Sequence, residues 1–132
     1  MVIARVVHAS KVYGMADAQV AALDDVSVGF HAGEFTAIMG PSGSGKSTLM
    51  HTLAGLDTLS SGQALIGETD LATLSDDERT VLRRDRLGFL FQASNLIPTL
   101  TAEENITLPA DLAGRQVSLR PGQRRLRLAV RT

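Results

Sequence analysis

Residues 40–48 of this 132-residue chain read Gly-Pro-Ser-Gly-Ser-Gly-Lys-Ser-Thr, and they constrain its fold more than any other stretch. Gly40, Gly43 and Gly45 allow positive φ and close approach, so that successive backbone N–H groups can converge on one anion. Phe35–Met39 reads as a buried strand entering the loop, while Leu49, Met50, Leu53 and Ala54 form an apolar helical face leaving it. Gly55 suits the C′ position at which such a helix stops. The first turn of that helix presents unpaired N–H groups and about half a positive charge to whatever lies in the loop. Lys46 adds a full charge on a flexible stem, suited to the β and γ phosphates, and the Ser47 hydroxyl is placed to ligate magnesium. The spacing matches the phosphate-loop pattern, Gly, any four residues, Gly, Lys, Ser or Thr. Gly40, Ser42, Gly43, Ser44, Gly45, Lys46, Ser47 and Thr48 are therefore the candidate residues for holding a nucleotide's phosphates.

At 132 residues the chain is long enough for one domain with its own core and too short for two. It contains no apolar run long enough to span a bilayer and no leader-like N-terminus. Without cysteine it has neither a disulfide frame nor thiolate chemistry, which fits a cytoplasmic protein. His8, His31 and His51 show no metal-ligand spacing. The formal charge of −1 conceals an asymmetry. Every carboxylate lies at or before Asp111, whereas Arg115, Arg120, Arg124, Arg125, Arg127 and Arg131 follow it with no acidic residue among them.

In chain order, Val2–Val7 reads as a first strand, followed by Ser10–Gly14, and Met15–Gln19 as a loop. Tyr13 is either an aromatic packed at a strand end or a ring that stacks on a base. Val26–Phe30 alternates as a half-buried strand, and the turn His31–Glu34 leads back towards the phosphate loop. Early strands joined by tight turns predict an antiparallel layer beside a parallel core, and hence an α/β fold. Leu65–Asp70 could be taken for an apolar strand ending in a magnesium-binding aspartate, but Gly67 interrupts it, and a hairpin is the preferred reading. Ser75 and Glu78 form a capping box that opens a helix to about Arg86, with Arg79, Arg83, Arg84 and Arg86 on a solvated face. Leu87–Gln92 reads as another buried strand. Thr101 and Glu104 form a second capping box, whose helix is expected to stop at Leu108, before Pro109.

From Ser10 to Gly114 these motifs together resemble the ATP-binding subunits of ABC transporters, of the lipoprotein-releasing and macrolide-export type. The resemblance rests on Ser10–Gly14, Ala22–Ser27, Gly33–Phe35, Ile38–Met50, Ala54–Asp57 with Ser61-Gly62, Leu71–Leu74, Leu82–Arg84, Leu87–Phe89 with Phe91-Gln92, and Asn95–Asn105. It implies a phosphate-loop NTPase-like parallel core with an N-terminal antiparallel β-layer, covering the first part of the family's domain at residues 1–114. It also implies ATP and Mg2+ as cofactors, Tyr13 as the ring stacked on adenine, and Lys46 and Gln92 as catalytic residues. Gln92, with Ser47, would sense the metal and γ-phosphate and pass that state to a transmembrane permease. Ser94 stands where relatives often carry an aromatic, which would weaken docking there. The implied setting is a homodimer, peripheral on the inner face of the cell membrane, with no nucleic acid partner.

The family's signature stretch, its apolar strand ending in Asp-Glu and its switch histidine have no counterpart in this sequence. Hydrolysis in such proteins combines groups from all of these motifs, so the chain alone is expected to be an inactive hydrolase. A non-catalytic nucleotide-binding module or a gene remnant is the alternative. The arginine-rich residues 115–132 are expected to be poorly ordered, either as the product of a frameshift or as a genuine basic appendage.

Overall fold

Two long stretches that mix side chains able to be buried with polar ones pair with each other. In the computed structural model, which describes residues 1–91 and 95–115, β1 (Val2–Tyr13) pairs antiparallel with β2 (Val20–His31). A 3₁₀ turn at Ala16–Ala18 lies in the connection. The two segments expected at Val2–Val7 and Ser10–Gly14 are thus one strand. It continues through His8 because a bulge, rather than a break, absorbs the irregularity.

That bulge has a partner on β2. His8 and Asp25 both adopt left-handed backbone, at φ 48° and 50°. Each inserts one extra residue, and the two slips offset one another, so that Lys11 pairs with Leu23 after Val6 has paired with Val28. Serine hydroxyls satisfy both displaced amides: the His8 N–H donates to Ser27 Oγ at 2.9 Å and the Asp25 N–H to Ser10 Oγ at 3.0 Å. His8 Nδ1 and Asp25 Oδ1 then meet at 2.7 Å.

β3 (Ser61–Ile66) lies along the other edge of β1, and β4 (Thr69–Asp70) closes a hairpin onto β3, giving the order β2-β1-β3-β4. The hairpin reading of Leu65–Asp70 therefore holds. The Asp70 carboxylate accepts from the Ala72 N–H and from Gln63 Nε2, which commits it to the turn that follows. α1 (Lys46–Leu53) packs Leu49 and Thr52 on the sheet. Its end is a Schellman turn: the Gly55 and Leu56 N–H groups donate to the Thr52 and His51 carbonyls, and Gly55 takes φ 65° as its C′ position requires. The core is Val6, Ala9, Leu23, Leu49, Ala64 and Leu71, flanked by Val26, Ile38, Leu53, Ile66 and Leu82.

The capping box at Ser75 is formed, with the Ser75 N–H donating to Glu78 Oε2 at 2.8 Å, and it opens α2 (Asp76–Arg86). The solvated face expected for its arginines is only partly realised. Arg79 Nε donates to the Leu74 carbonyl and Arg83 Nη1 to the Gly55 carbonyl at 2.6 Å, so both bend back to satisfy backbone oxygens. Arg84 instead pairs with its neighbour Asp85 at 2.8 Å.

The chain divides after Arg83 into two compact units, Met1–Arg83 and the residues from Arg84 onwards. In the second, the capping box at Thr101 opens α3 (Ala102–Leu112), which runs past Leu108 with Pro109 inside it. Both helix ends are firmly closed, and this offsets the one hydrogen bond that proline cannot make. Thr101 and Glu104 bond reciprocally at one end, and the Gly114 and Arg115 N–H groups return to the Asp111 and Ala110 carbonyls at the other. Asn105 ties down the preceding loop by bonding both the N–H and the carbonyl of Ile97.

Two expected strands are absent. Phe35–Met39 and Leu87–Phe91 carry no strand pairing among the described residues. Instead of being buried, Phe35 is 99% exposed and Leu90 is 101% exposed. A strand of a parallel core needs a hydrogen-bonded neighbour on at least one edge, and neither segment has one among the described residues. Ile38 alone in the first segment packs towards the core. Gln92, Ser94 and residues 116–132 lie outside the described residues.

Candidate nucleotide-binding site

The glycine loop is seated by one collision it avoids. Between Lys11 and Val12, β2 carries an extra residue, Ala22, opposite β1. A Cβ on Gly45 would strike the Ala22 carbonyl, and Gly45 sits at φ 87°. Only glycine meets both demands, so the loop closes directly on the sheet. Gly43 is also left-handed, at φ 80°, with open space where a Cβ would lie. Gly40 is not left-handed; its role is close approach, since a Cβ there would stand 2.7 Å from Ser44 Oγ.

Gly45 is the N-cap of α1, and no side chain caps that end. The first amide bonded within the helix is that of Leu49, to the Gly45 carbonyl at 2.9 Å. The Lys46, Ser47 and Thr48 amides therefore have no acceptor in their own helix, which is the donor set an anion needs. Lys46 Nζ curls over the loop and donates to the Gly40 carbonyl at 2.8 Å and to that of Pro41 at 2.7 Å, with Ser44 Oγ at 3.3 Å. The ammonium is thus held at the centre of the loop, where phosphate oxygens could replace its carbonyl partners. Ser42 and Ser47 are exposed beside it, and Thr48 is half-buried. A cradle of backbone amides with one cation and exposed serine hydroxyls is chemically suited to a triphosphate.

Tyr13 closes β1 on the same unit, paired with Val20 one residue pair beyond Val12 and Ala21. It is half-exposed and not loosely placed. Its hydroxyl donates to Asp57 Oδ2 at 2.6 Å, and Lys11 Nζ lies over its ring, 4.9 Å from the centroid. Lys11 Nζ also donates to Asp57 Oδ1 at 2.7 Å and to the Thr58 carbonyl at 2.6 Å. Hydrogen bonds from Lys11, and then from Tyr13, hold the Asp57 carboxyl down to about 2. Neither Lys11 nor Asp57 stands out as a site residue in the sequence. Strand alternation could have placed Lys11 on the face of Tyr13, but no local signal brings Asp57 to them across 44 residues.

An antiparallel layer, a left-handed glycine loop seated on it and a helix whose first amides are open define a phosphate-loop protein. A family model described as ABC transporter matches residues 23–130, and the chain belongs to that family. The macrolide export ATP-binding/permease protein MacB of Brucella abortus (strain 2308) is 50% identical over 104 residues, covering 79% of this chain and 16% of that protein. The ABC transporter ATP-binding protein MJ0796 of Methanocaldococcus jannaschii is 46% identical over 102 residues, covering 77% of this chain and 43% of its own. A solved dimeric structure of the MJ0796 cassette in a post-hydrolysis state, bound to ADP and Pi, superposes with a TM-score of 0.77 at 40% identity. That superposition covers 92% of this chain and 52% of the cassette. The chain spans about half of the solved cassette and 16% of the export protein's length.

Proposed function

We propose that this chain holds Mg-ATP on residues 40–48 and stacks the adenine on Tyr13. The observation that carries this is the seating of Gly45 on Ala22 at the start of α1, where the Lys46, Ser47 and Thr48 amides have no acceptor in their own helix and the Lys46 ammonium is held against the loop. Magnesium, where bound, would neutralise charge on the β and γ phosphates, and Ser47 is the residue placed to ligate it. In this reading Lys46 exchanges its carbonyl partners for phosphate oxygens, and the glycines keep the backbone close to them.

The relatives named for export work as ATP-binding/permease proteins, which supports a transmembrane permease as partner, with Gln92 carrying the nucleotide state to it. A homodimer on the cytoplasmic face of the membrane is the corresponding assembly, supported by the dimeric MJ0796 cassette. No helix among the described residues is long and apolar enough to cross a membrane. Because phosphoryl transfer is positioning plus charge stabilisation by groups from several motifs, this chain alone would bind ATP without appreciable turnover.

Isothermal titration with Mg-ATP tests the reading. Lys46→Ala should weaken binding by about ten- to a hundredfold, the loss of one charge-assisted contact set. Equal affinity in the variant would overturn the assignment of the phosphate site. Magnesium-dependent hydrolysis by the purified chain, abolished in Lys46→Ala, would overturn the inactive reading.

A further inference from the structure

We propose that Lys11 and Asp57 are positioning residues for base recognition, locking the Tyr13 ring so that one fixed face is presented to a purine. The inference rests on Tyr13 being the base platform and extends that reading to two residues outside the phosphate loop. Three contacts define the lock. The Asp57 carboxylate accepts the Tyr13 hydroxyl at 2.6 Å, the Lys11 ammonium at 2.7 Å and the Thr58 N–H at 2.7 Å, so both of its oxygens are engaged. The hydroxyl bond anchors the tip of the ring. Lys11, two residues before Tyr13 on the same strand face, covers one side of it at 4.9 Å, which leaves only the opposite side for stacking.

The lock also ties the platform to the phosphate loop. α1 carries the open amides at its first residue, Lys46, and its closing turn leads directly into Asp57. One helix of about 12 Å therefore joins the open amides to the turn that holds Asp57 and, through it, the Tyr13 hydroxyl. A ring ordered before binding does not have to be ordered by the ligand, which is worth about two- to tenfold in affinity. It also favours a base large enough to cover the fixed face.

Two probes separate this role from the phosphate site: ATP, and inorganic tripolyphosphate, which has no base. Asp57→Asn and Lys11→Met should weaken ATP about three- to tenfold, leave tripolyphosphate unchanged and lower the ATP-to-CTP affinity ratio. Lys11→Arg, which keeps a cation over the ring, should recover most of the loss. Tyr13 is the single tyrosine of a chain without tryptophan, so its fluorescence reports the ring directly. ATP should quench it in the wild type, and by a smaller amplitude in Asp57→Asn at saturation. Unchanged ATP affinity and quenching in both variants, or an equal loss for ATP and tripolyphosphate, would overturn the positioning role alone. Failure of the wild-type chain to bind tripolyphosphate would overturn the phosphate-site reading and this inference with it.

Discussion

At the residue scale, single atoms decide what can stand at the loop. Gly45 meets two conditions at once, a left-handed φ of 87° and a carbonyl where its Cβ would be. Gly45→Ala should therefore cost about 2–3 kcal/mol in urea unfolding and abolish detectable ATP binding, while the same change at Gly40 meets only the mobile Ser44 hydroxyl and should cost less. Asp57 makes a second prediction. Its carboxyl is held at about 2 against an ordinary 3.8, so folding favours the ionised form. The stabilisation is complete above the ordinary value and is lost as pH falls from about 4 towards about 2. For this partly exposed group, screened by solvent, the contribution is on the order of 1 kcal/mol. The stability gap between the wild type and Asp57→Asn should shrink by that amount when urea unfolding is repeated at about pH 2 rather than about pH 5. A constant gap would mean that the carboxylate is not held by Lys11 and Tyr13.

At the element scale, end chemistry outweighs local propensity. α3 contains Pro109 eight residues into the helix, yet it runs from Ala102 to Leu112 because both of its ends are closed by hydrogen bonds, a capping box at the first and returning backbone N–H groups at the last. Restoring the missing donor with Pro109→Ala should stabilise α3 by about 1–3 kcal/mol, seen as slower hydrogen exchange of its amides. Unchanged exchange would show that the helix had already absorbed the proline. The paired bulges at His8 and Asp25 are the strand counterpart. Histidine and aspartate are among the non-glycine residues that reach left-handed backbone most readily, and two serine hydroxyls and the His8–Asp25 contact satisfy the groups that the distortion displaces.

At the scale of the whole molecule, the apolar surface is the distinguishing property. Phe35 and Met39 in one unit, and Leu90 in the other, stand almost fully in solvent although their sequences read as core strands. Single Phe35→Lys and Leu90→Lys substitutions should each change stability by less than about 0.5 kcal/mol, because neither removes a buried contact. Each should also lower concentration-dependent association, measured by light scattering, since exposed apolar patches drive it. A large destabilisation from either change would mean that its side chain is buried in solution.

Much of the site was legible in the sequence because its requirements are local. The phosphate-loop spacing, Gly55 as a helix stop, both capping boxes and the hairpin at Leu65–Asp70 depend on φ preferences and hydrogen bonds spanning a few residues, and residue type alone sets these. The extent of α3, the single strand through His8 and the inward-turned Arg79 and Arg83 were not legible, because each depends on a partner elsewhere in the chain. The absent strands at Phe35–Met39 and Leu87–Phe91 make the same point in reverse. Apolar, β-prone sequence determined that these segments could pair, but pairing also needs a neighbour's backbone, which only tertiary structure supplies. By itself the sequence determined the glycine loop and the helix start that we propose as the phosphate site. The tertiary structure decided that Ala22 would seat it and that Asp57 would reach across the chain to fix Tyr13, because both contacts join residues that only the folded sheet brings together.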